Sequence, residues 1–115
     1  MKDDRAYAEY ILDCIAAVES FLGGRGSERF HVERVVRDAC LRNLQTMAES
    51  TQRFSEAVKQ THSQLPWRKI AGFRNLLVHD YFGIDPDEVW KVIEIELPKL
   101  KLAVQEILET LPGAT

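Results

Sequence analysis

Pro66-Trp67-Arg68-Lys69-Ile70-Ala71-Gly72-Phe73-Arg74-Asn75-Leu76-Leu77-Val78-His79-Asp80-Tyr81 has the periodicity of a helix and the composition of a polar site. Proline suits a first helical position, so Pro66 starts the segment. At about 100° per residue, Trp67, Ile70, Ala71, Phe73, Leu76, Leu77 and Val78 cover most of the wheel. Arg74 projects from the middle of that apolar arc, where a merely solvating charge is badly placed. Asn75 and His79 are i,i+4 neighbours whose side chains are expected to meet. Gly72 beside them leaves room for something to approach the backbone. In an unbroken helix Arg74 and His79 point roughly 140° apart. The helix is therefore expected to finish near His79, letting the chain turn and bring Tyr81 back over the site.

Those side chains suit chemistry on a phosphate. Arginine is permanently charged and forks onto phosphate oxygens. Histidine offers a proton near neutral pH, and a tyrosine hydroxyl can orient a ligand or be modified itself. Simpler roles stay open for each residue. Arg74 could sit in an ion pair with Asp80 or Asp85, and His79 could be a hydrogen-bonded structural residue.

The rest of the chain also reads as helix, with no strand signal. Tyr7, Ile11, Ile15, Val18 and Leu22 form one apolar stripe over a first helix from about Asp3 to Leu22. Gly23-Gly24-Arg25-Gly26 breaks it. Ser27 is expected to cap a second helix, with Val32, Val35, Val36, Ala39, Cys40, Leu44 and Met47 as its stripe. That helix continues, or restarts near Ser50, through Phe54, Ala57 and Val58. Gly83 suits a turn, and Asp85-Pro86-Asp87-Glu88 has an N-cap, a proline and acids in the order a helix start requires. The last helix carries Val89, Ile93, Leu97, Leu100, Val104, Ile107 and Leu111, with a kink expected at Pro98. The expected fold is all-α: one domain over residues 1–115, an antiparallel four-helix bundle.

With 45% hydrophobic residues, the 115-residue chain can build one core and gives no sign of disorder. Cys14 and Cys40 lack the spacing of a disulfide framework or a zinc site and read as buried small hydrophobes. Trp67 and Trp90 read as core anchors, and His31 and His62 as surface or capping residues. Residues 1–13 are too charged for a signal peptide and no apolar run reaches membrane length, so a cytoplasmic protein is expected. The net charge of −3 hides an asymmetry, since residues 24–75 carry a balance of +5 and the remainder −8. That basic middle is a possible phosphate-facing surface. Arg29/Glu33 and Arg34/Asp38 also read as i,i+4 pairs on a solvated face. No HExxH, glycine-rich phosphate loop or Walker pattern is present. Asp85, Asp87 and Glu88 are better explained by a helix start than by a metal, and neither metal nor cofactor is expected.

Arg74, four intervening residues, then His79-Asp80-Tyr81 resembles the signature of the HEPN superfamily, and Asn75 matches the Asn that often follows the Arg. Leu65 to Phe73 before the motif resembles the lead-in of the HepT-like branch. Tyr81-Phe82-Gly83-Ile84-Asp85, Val89-Trp90 and Leu97-Pro98-Lys99-Leu100 resemble the segment after it. The specific match covers about Ser63 to Leu100. The resemblance implies a helical bundle that dimerises about a two-fold axis with the motif at or beside the interface. It implies a toxin that is a metal-independent endoribonuclease acting on RNA, not DNA. Arg74 and His79 are then catalytic and Asn75 and Tyr81 supporting, with a minimal nucleotidyltransferase antitoxin transferring AMP to Tyr81. Two other readings remain: a non-catalytic HEPN subunit that binds substrate or nucleotide for such a nucleotidyltransferase, and a helical interaction module.

Overall fold

The stripe of residues 7–22 folds as drawn from the sequence. Helix α1 spans Asp3–Leu22 and buries Ile11, Ile15, Val18 and Leu22 along one face. The computed structural model describes residues 3–112. It continues through a 3-10 turn at Gly23–Arg25 into α2 (Gly26–Val32), α3 (Arg34–Gln52), α4 (Glu56–Thr61), α5 (Trp67–His79), α6 (Pro86–Lys91) and α7 (Leu97–Thr110). Gly23 makes the break after α1 by taking φ of +58°, a conformation costly for any residue with a Cβ.

Helices α1, α3, α5 and the α6–α7 rod make an up-down-up-down bundle, with α2 and α4 as short connectors. Three contacts set these directions. Asp4 at the start of α1 meets Ser55 just past the end of α3. Glu19 near the end of α1 meets Lys101 in the first half of α7, and Thr110 at the end of α7 lies 3.5 Å from His62, ahead of α5. Helix α1 is central, packing on both α3 and α7, whereas α5 rests chiefly on α3. The motif helix is thus an edge helix, and Leu77 is its one fully buried residue. Among the described residues no helix is long and apolar enough to cross a membrane.

The second helix departs from expectation. Ser27 does not cap it; the helix begins at Gly26 and ends at Val32, and extended Glu33 (φ −96°, ψ 102°) redirects the chain into α3. Arg37 makes the break tenable by donating to the Phe30 and His31 carbonyls at 3.1 and 3.0 Å, oxygens that the interrupted helix leaves open. The break changes the register of the apolar face. Val32 and Val35, expected in the core, are 74% and 82% exposed, while Phe30 is fully buried against Trp90. The restart placed near Ser50 falls at Ser55, whose hydroxyl accepts from the Val58 N–H to cap α4. The disturbance expected at Pro98 is a π-helical stretch, Val92–Glu96, just before it. Proline has no N–H for the preceding turn, and one wider turn absorbs the mismatch.

Cys14 and Cys40 are buried free thiols, and burial pushes Cys40 up to about 11. Trp67 packs edge-on to Phe54 and donates its Nε1 hydrogen to the His62 carbonyl, fixing how α5 begins. His62 is itself buried at the C-cap of α4, so of the surface or capping role expected for it the capping one is found.

Asp4 is a buried carboxylate at the same end of the bundle. It accepts from the Ser55 backbone N–H at 2.8 Å and from the Ser55 hydroxyl at 2.7 Å. Burial opposes its ionisation, but these hydrogen bonds hold the acid below its ordinary value. Asp4→Ala should cost about 1–3 kcal/mol by stranding buried donors, read as a lower denaturation midpoint. Because the folded carboxyl is the stronger acid, its stabilisation is present above the unfolded pKa and lost as pH falls through the folded one. The gap between wild type and Asp4→Ala should therefore close in acid; a constant gap would contradict this assignment.

Candidate active site on the motif helix

Helix α5 stays regular through His79, so Arg74 and His79 diverge as helical geometry requires. Arg74 is about one-third exposed and lies against α3. Its Nη1 donates to Asn75 Oδ1 at 3.0 Å, and its Nη2 is 3.7 Å from Glu49 Oε1. The ion-pair partner is thus Glu49 rather than Asp80 or Asp85. The contact is long and about one-third exposed on both sides, and such pairs are worth little. A guanidinium has five donors, so Arg74 is oriented while keeping capacity for an anion.

Around it lies an open depression of about 360 Å³ lined by Glu49, Gln52, Arg53, Ala71, Arg74 and Asn75. Arg53 is exposed and forms no ion pair among the described residues, so two guanidiniums face one carboxylate there. His79 is exposed at the end of α5, and its imidazole makes no hydrogen bond among the described residues. Asn75 and His79 share no hydrogen bond among the described residues; Asn75 turns its oxygen to Arg74 instead.

Tyr81 follows in a 3-10 turn, Tyr81–Gly83, and folds onto α3 instead of over Arg74. Its hydroxyl donates to Asp38 Oδ1 at 2.8 Å, and the other oxygen of Asp38 is 3.5 Å from Arg34 Nε. Burial, this hydrogen bond and the Asp38 charge raise the phenol above its ordinary pKa, with Arg34 and Arg37 pulling the other way. A Cβ at Gly83 would lie 2.6 Å from Asp80 Oδ1, so a larger residue there obliges the exposed Asp80 side chain to turn away. Asp85 then caps α6 through the Asp87 N–H at 2.9 Å.

Glu49 and Asp38, the α3 partners of Arg74 and Tyr81, lie three turns apart, about 16 Å of helical rise. One protomer therefore does not gather Arg74, His79 and Tyr81 around one point. Asp38, Glu49 and Arg53 were absent from the candidate residues. Their only trace in the sequence is helical spacing, since Arg34, Asp38, Arg42, Gln45, Glu49 and Arg53 recur every three or four residues. Such a stripe looks the same whether it faces water or a neighbouring helix.

An all-helical bundle carrying the Arg and His of Arg-x4-His-x-Tyr on an edge helix, and its Tyr in the turn that follows, defines a class, the HEPN-type ribonucleases. The family model described as "Ribonuclease HepT-like" matches residues 11–107. The chain belongs to the HepT-like ribonuclease family. It is 36% identical to "Putative RNase TTE0752" of Caldanaerobacter subterraneus subsp. tengcongensis over 95% of this chain and 97% of that protein. It is 30% identical to "Probable ribonuclease HepT" of Thermococcus cleftensis over 87% of this chain and 91% of that one. A 27% match to "Gamma-glutamylcyclotransferase and putative RNase MJ0434" of Methanocaldococcus jannaschii takes in 96% of this chain but 50% of that larger protein. No solved structure matches the chain significantly.

Residues away from the motif anchor its turn. His31 is partly buried beside Trp90 and places Nδ1 2.8 Å from the Ser27 carbonyl and Nε2 2.8 Å from Asp87 Oδ1. Two acceptors flank the ring, and only an imidazolium donates to both. The Ser27 bond is the chief cause of its raised pKa; burial opposes the rise and Asp87 adds to it. A raised folded pKa gives stability that is complete below the unfolded value and lost as pH rises through the folded one. An NMR titration should place His31 above the ordinary histidine value, and Asp87→Asn should bring it down. No change in the Asp87→Asn protein would remove the bridge.

Proposed function

We propose that this protein is a cytoplasmic endoribonuclease toxin that cuts RNA without a divalent metal. Its control is transfer of AMP to Tyr81 by a minimal nucleotidyltransferase antitoxin. The observation that carries the reading is the state of the motif on α5. Arg74 is held in orientation yet open to solvent beside a basic depression, and His79 stands exposed one and a half turns further on. The family match supports the substrate class.

The chemistry needs no group beyond these and the RNA. The ribose 2′-oxygen attacks the adjacent phosphorus, a 2′,3′-cyclic phosphate forms, and the bond to the 5′-oxygen breaks. One imidazole takes the 2′ proton and another delivers a proton to the leaving oxygen. Arg74 faces the charge that gathers on the phosphoryl oxygens, with Asn75 fixing its guanidinium. Arg53 offers a second cation to the RNA backbone.

One protomer supplies a single suitable histidine, so two His79 side chains across a two-fold axis would complete the site. The surface near the motif favours such a partner. Phe82 is fully exposed at 102%, and Val35, Leu76 and Tyr81 expose further apolar area on α3, α5 and the turn. The distance between the α3 anchors of Arg74 and Tyr81 also keeps a second reading in view, a non-catalytic subunit that binds substrate or nucleotide for the nucleotidyltransferase.

His79→Ala and Arg74→Ala should each lower RNA cleavage about a hundredfold or more and relieve growth inhibition, with the helical CD spectrum intact. Arg74→Lys should recover little, having lost the fork. Wild-type cleavage should survive EDTA. Full cleavage by His79→Ala, or loss of wild-type cleavage in EDTA, would sink this chemistry.

Light scattering across a dilution series should give a dimer, and Phe82→Asp should shift it toward monomer. A wild-type monomer at micromolar concentration would remove the shared site.

A further inference from the structure

We propose that Asp38 on α3 is the positioning residue for the Tyr81 hydroxyl, presenting it to the incoming adenylyl group and taking its proton as the new bond forms. The proposal rests on the reading of Tyr81 as the AMP acceptor and adds how this chain prepares the acceptor. Nothing in the motif specifies Asp38, which lies 43 residues earlier in the chain.

Three observations place it. The phenol donates its proton to Asp38 Oδ1 at 2.8 Å, leaving the oxygen's lone pairs directed away from α3. The ring is 40% exposed and braced edge-on by Phe82, with centroids 5.9 Å apart, so the hydroxyl is both fixed and reachable. Arg34 lies beside the same carboxylate and is itself 84% exposed, a cation free to turn toward a phosphoryl group. Tyr7 and Tyr10 have no such arrangement, since neither hydroxyl meets a carboxylate among the described residues.

The step balances with ATP as co-reactant. Tyr81 Oη attacks the α-phosphorus and forms an O–P bond. The bond from that phosphorus to the bridging oxygen breaks, and pyrophosphate leaves with the electron pair. The phenolic proton passes to Asp38 Oδ1. Afterwards the Tyr81 oxygen is an ester with no proton to donate. Once Asp38 loses the captured proton, a carboxylate and a phosphodiester anion face each other, with Arg34 as the nearby counter-charge. The hydrogen bond that held the Tyr81–Gly83 turn to α3 cannot re-form. Adenylylation would thus release the turn as well as block the site.

The test is the rate of AMP addition to the full chain by a minimal nucleotidyltransferase with ATP, read by intact mass and mapped by peptide. Wild type should gain about 329 Da per AMP at Tyr81, and Tyr81→Phe should not. Asp38→Asn keeps the shape but cannot take the proton, and it should be labelled roughly ten- to a hundredfold more slowly. Asp38→Ala should be at least as slow, and Asp38→Glu should recover part of the rate. A second readout is the absorbance titration of the phenol, isolated by difference from Tyr81→Phe, which should move down toward the ordinary value in Asp38→Asn. Equal labelling of wild type and both the Asn and Ala variants overturns this proposal while leaving Tyr81 the acceptor. Slow labelling with an unmoved Tyr81 titration overturns it too, because Asp38 would then act from elsewhere. No label on wild-type Tyr81 removes the adenylylation reading itself.

Discussion

Helix α5 leans on α3 and on little else, and the character of the site follows from that one-sided support. An edge helix can keep polar groups at its margins without burying them, which is where Arg74 and His79 stand. The support still has to fix their geometry. It does so at the start of α5 through Trp67 on Phe54 and the His62 carbonyl. Leu77 holds the last turn of the helix in the core. At its end the Tyr81–Asp38 hydrogen bond returns the chain to α3.

The two carboxylates that α3 sets against the motif act differently. Glu49 is 3.7 Å from Arg74 and both side chains are about one-third exposed, so the pair contributes about 0–1 kcal/mol. A phosphate with bidentate geometry can displace such a partner at small cost. Glu49 therefore orients Arg74 without occupying it. Asp38 holds Tyr81 at 2.8 Å through a proton that the phenol must supply, so the bond lasts only while the oxygen is unmodified. One contact would yield to an arriving anion; the other would be broken by a covalent change at Tyr81.

Much of this was legible in the chain. The limits of α1 and α5, the cap at Asp85 and the turn at Gly83 follow from periodicity and the chemistry of caps. The pairs Arg29–Glu33 and Arg34–Asp38 form at 3.2 and 3.5 Å as their spacing suggested. What the chain concealed is which of several partners within reach each polar side chain takes. The break at Glu33 depends on Arg37 reaching back to two carbonyls, which no local pattern announces, and it put Val32 and Val35 on the wrong face. Asn75 was assigned to His79 by i,i+4 spacing, yet the stronger donor beside it took its oxygen. Spacing alone reads Arg34 and Asp38 as a pair on a solvated face, because it shows which residues share a side and not what that side meets.

The same separation bears on how the site can work. Arg74 and Tyr81 are tethered to points about three turns apart on α3, so neither can reach the other's partner while both tethers hold. A phosphate at Arg74 would therefore not meet the Tyr81 hydroxyl of the same protomer. RNA is a polymer whose phosphates are spaced along a backbone, and it does not need them to coincide. A strand laid beside α3 could meet Arg53 and Arg74 in the depression and the Arg34 end of the stripe further along. That layout gives an added phosphodiester at Tyr81 two ways to act. It would place negative charge on the path of the strand, and it would free the turn that begins two residues after His79. Neither requires a rearrangement of the core, because α5 is already at the edge.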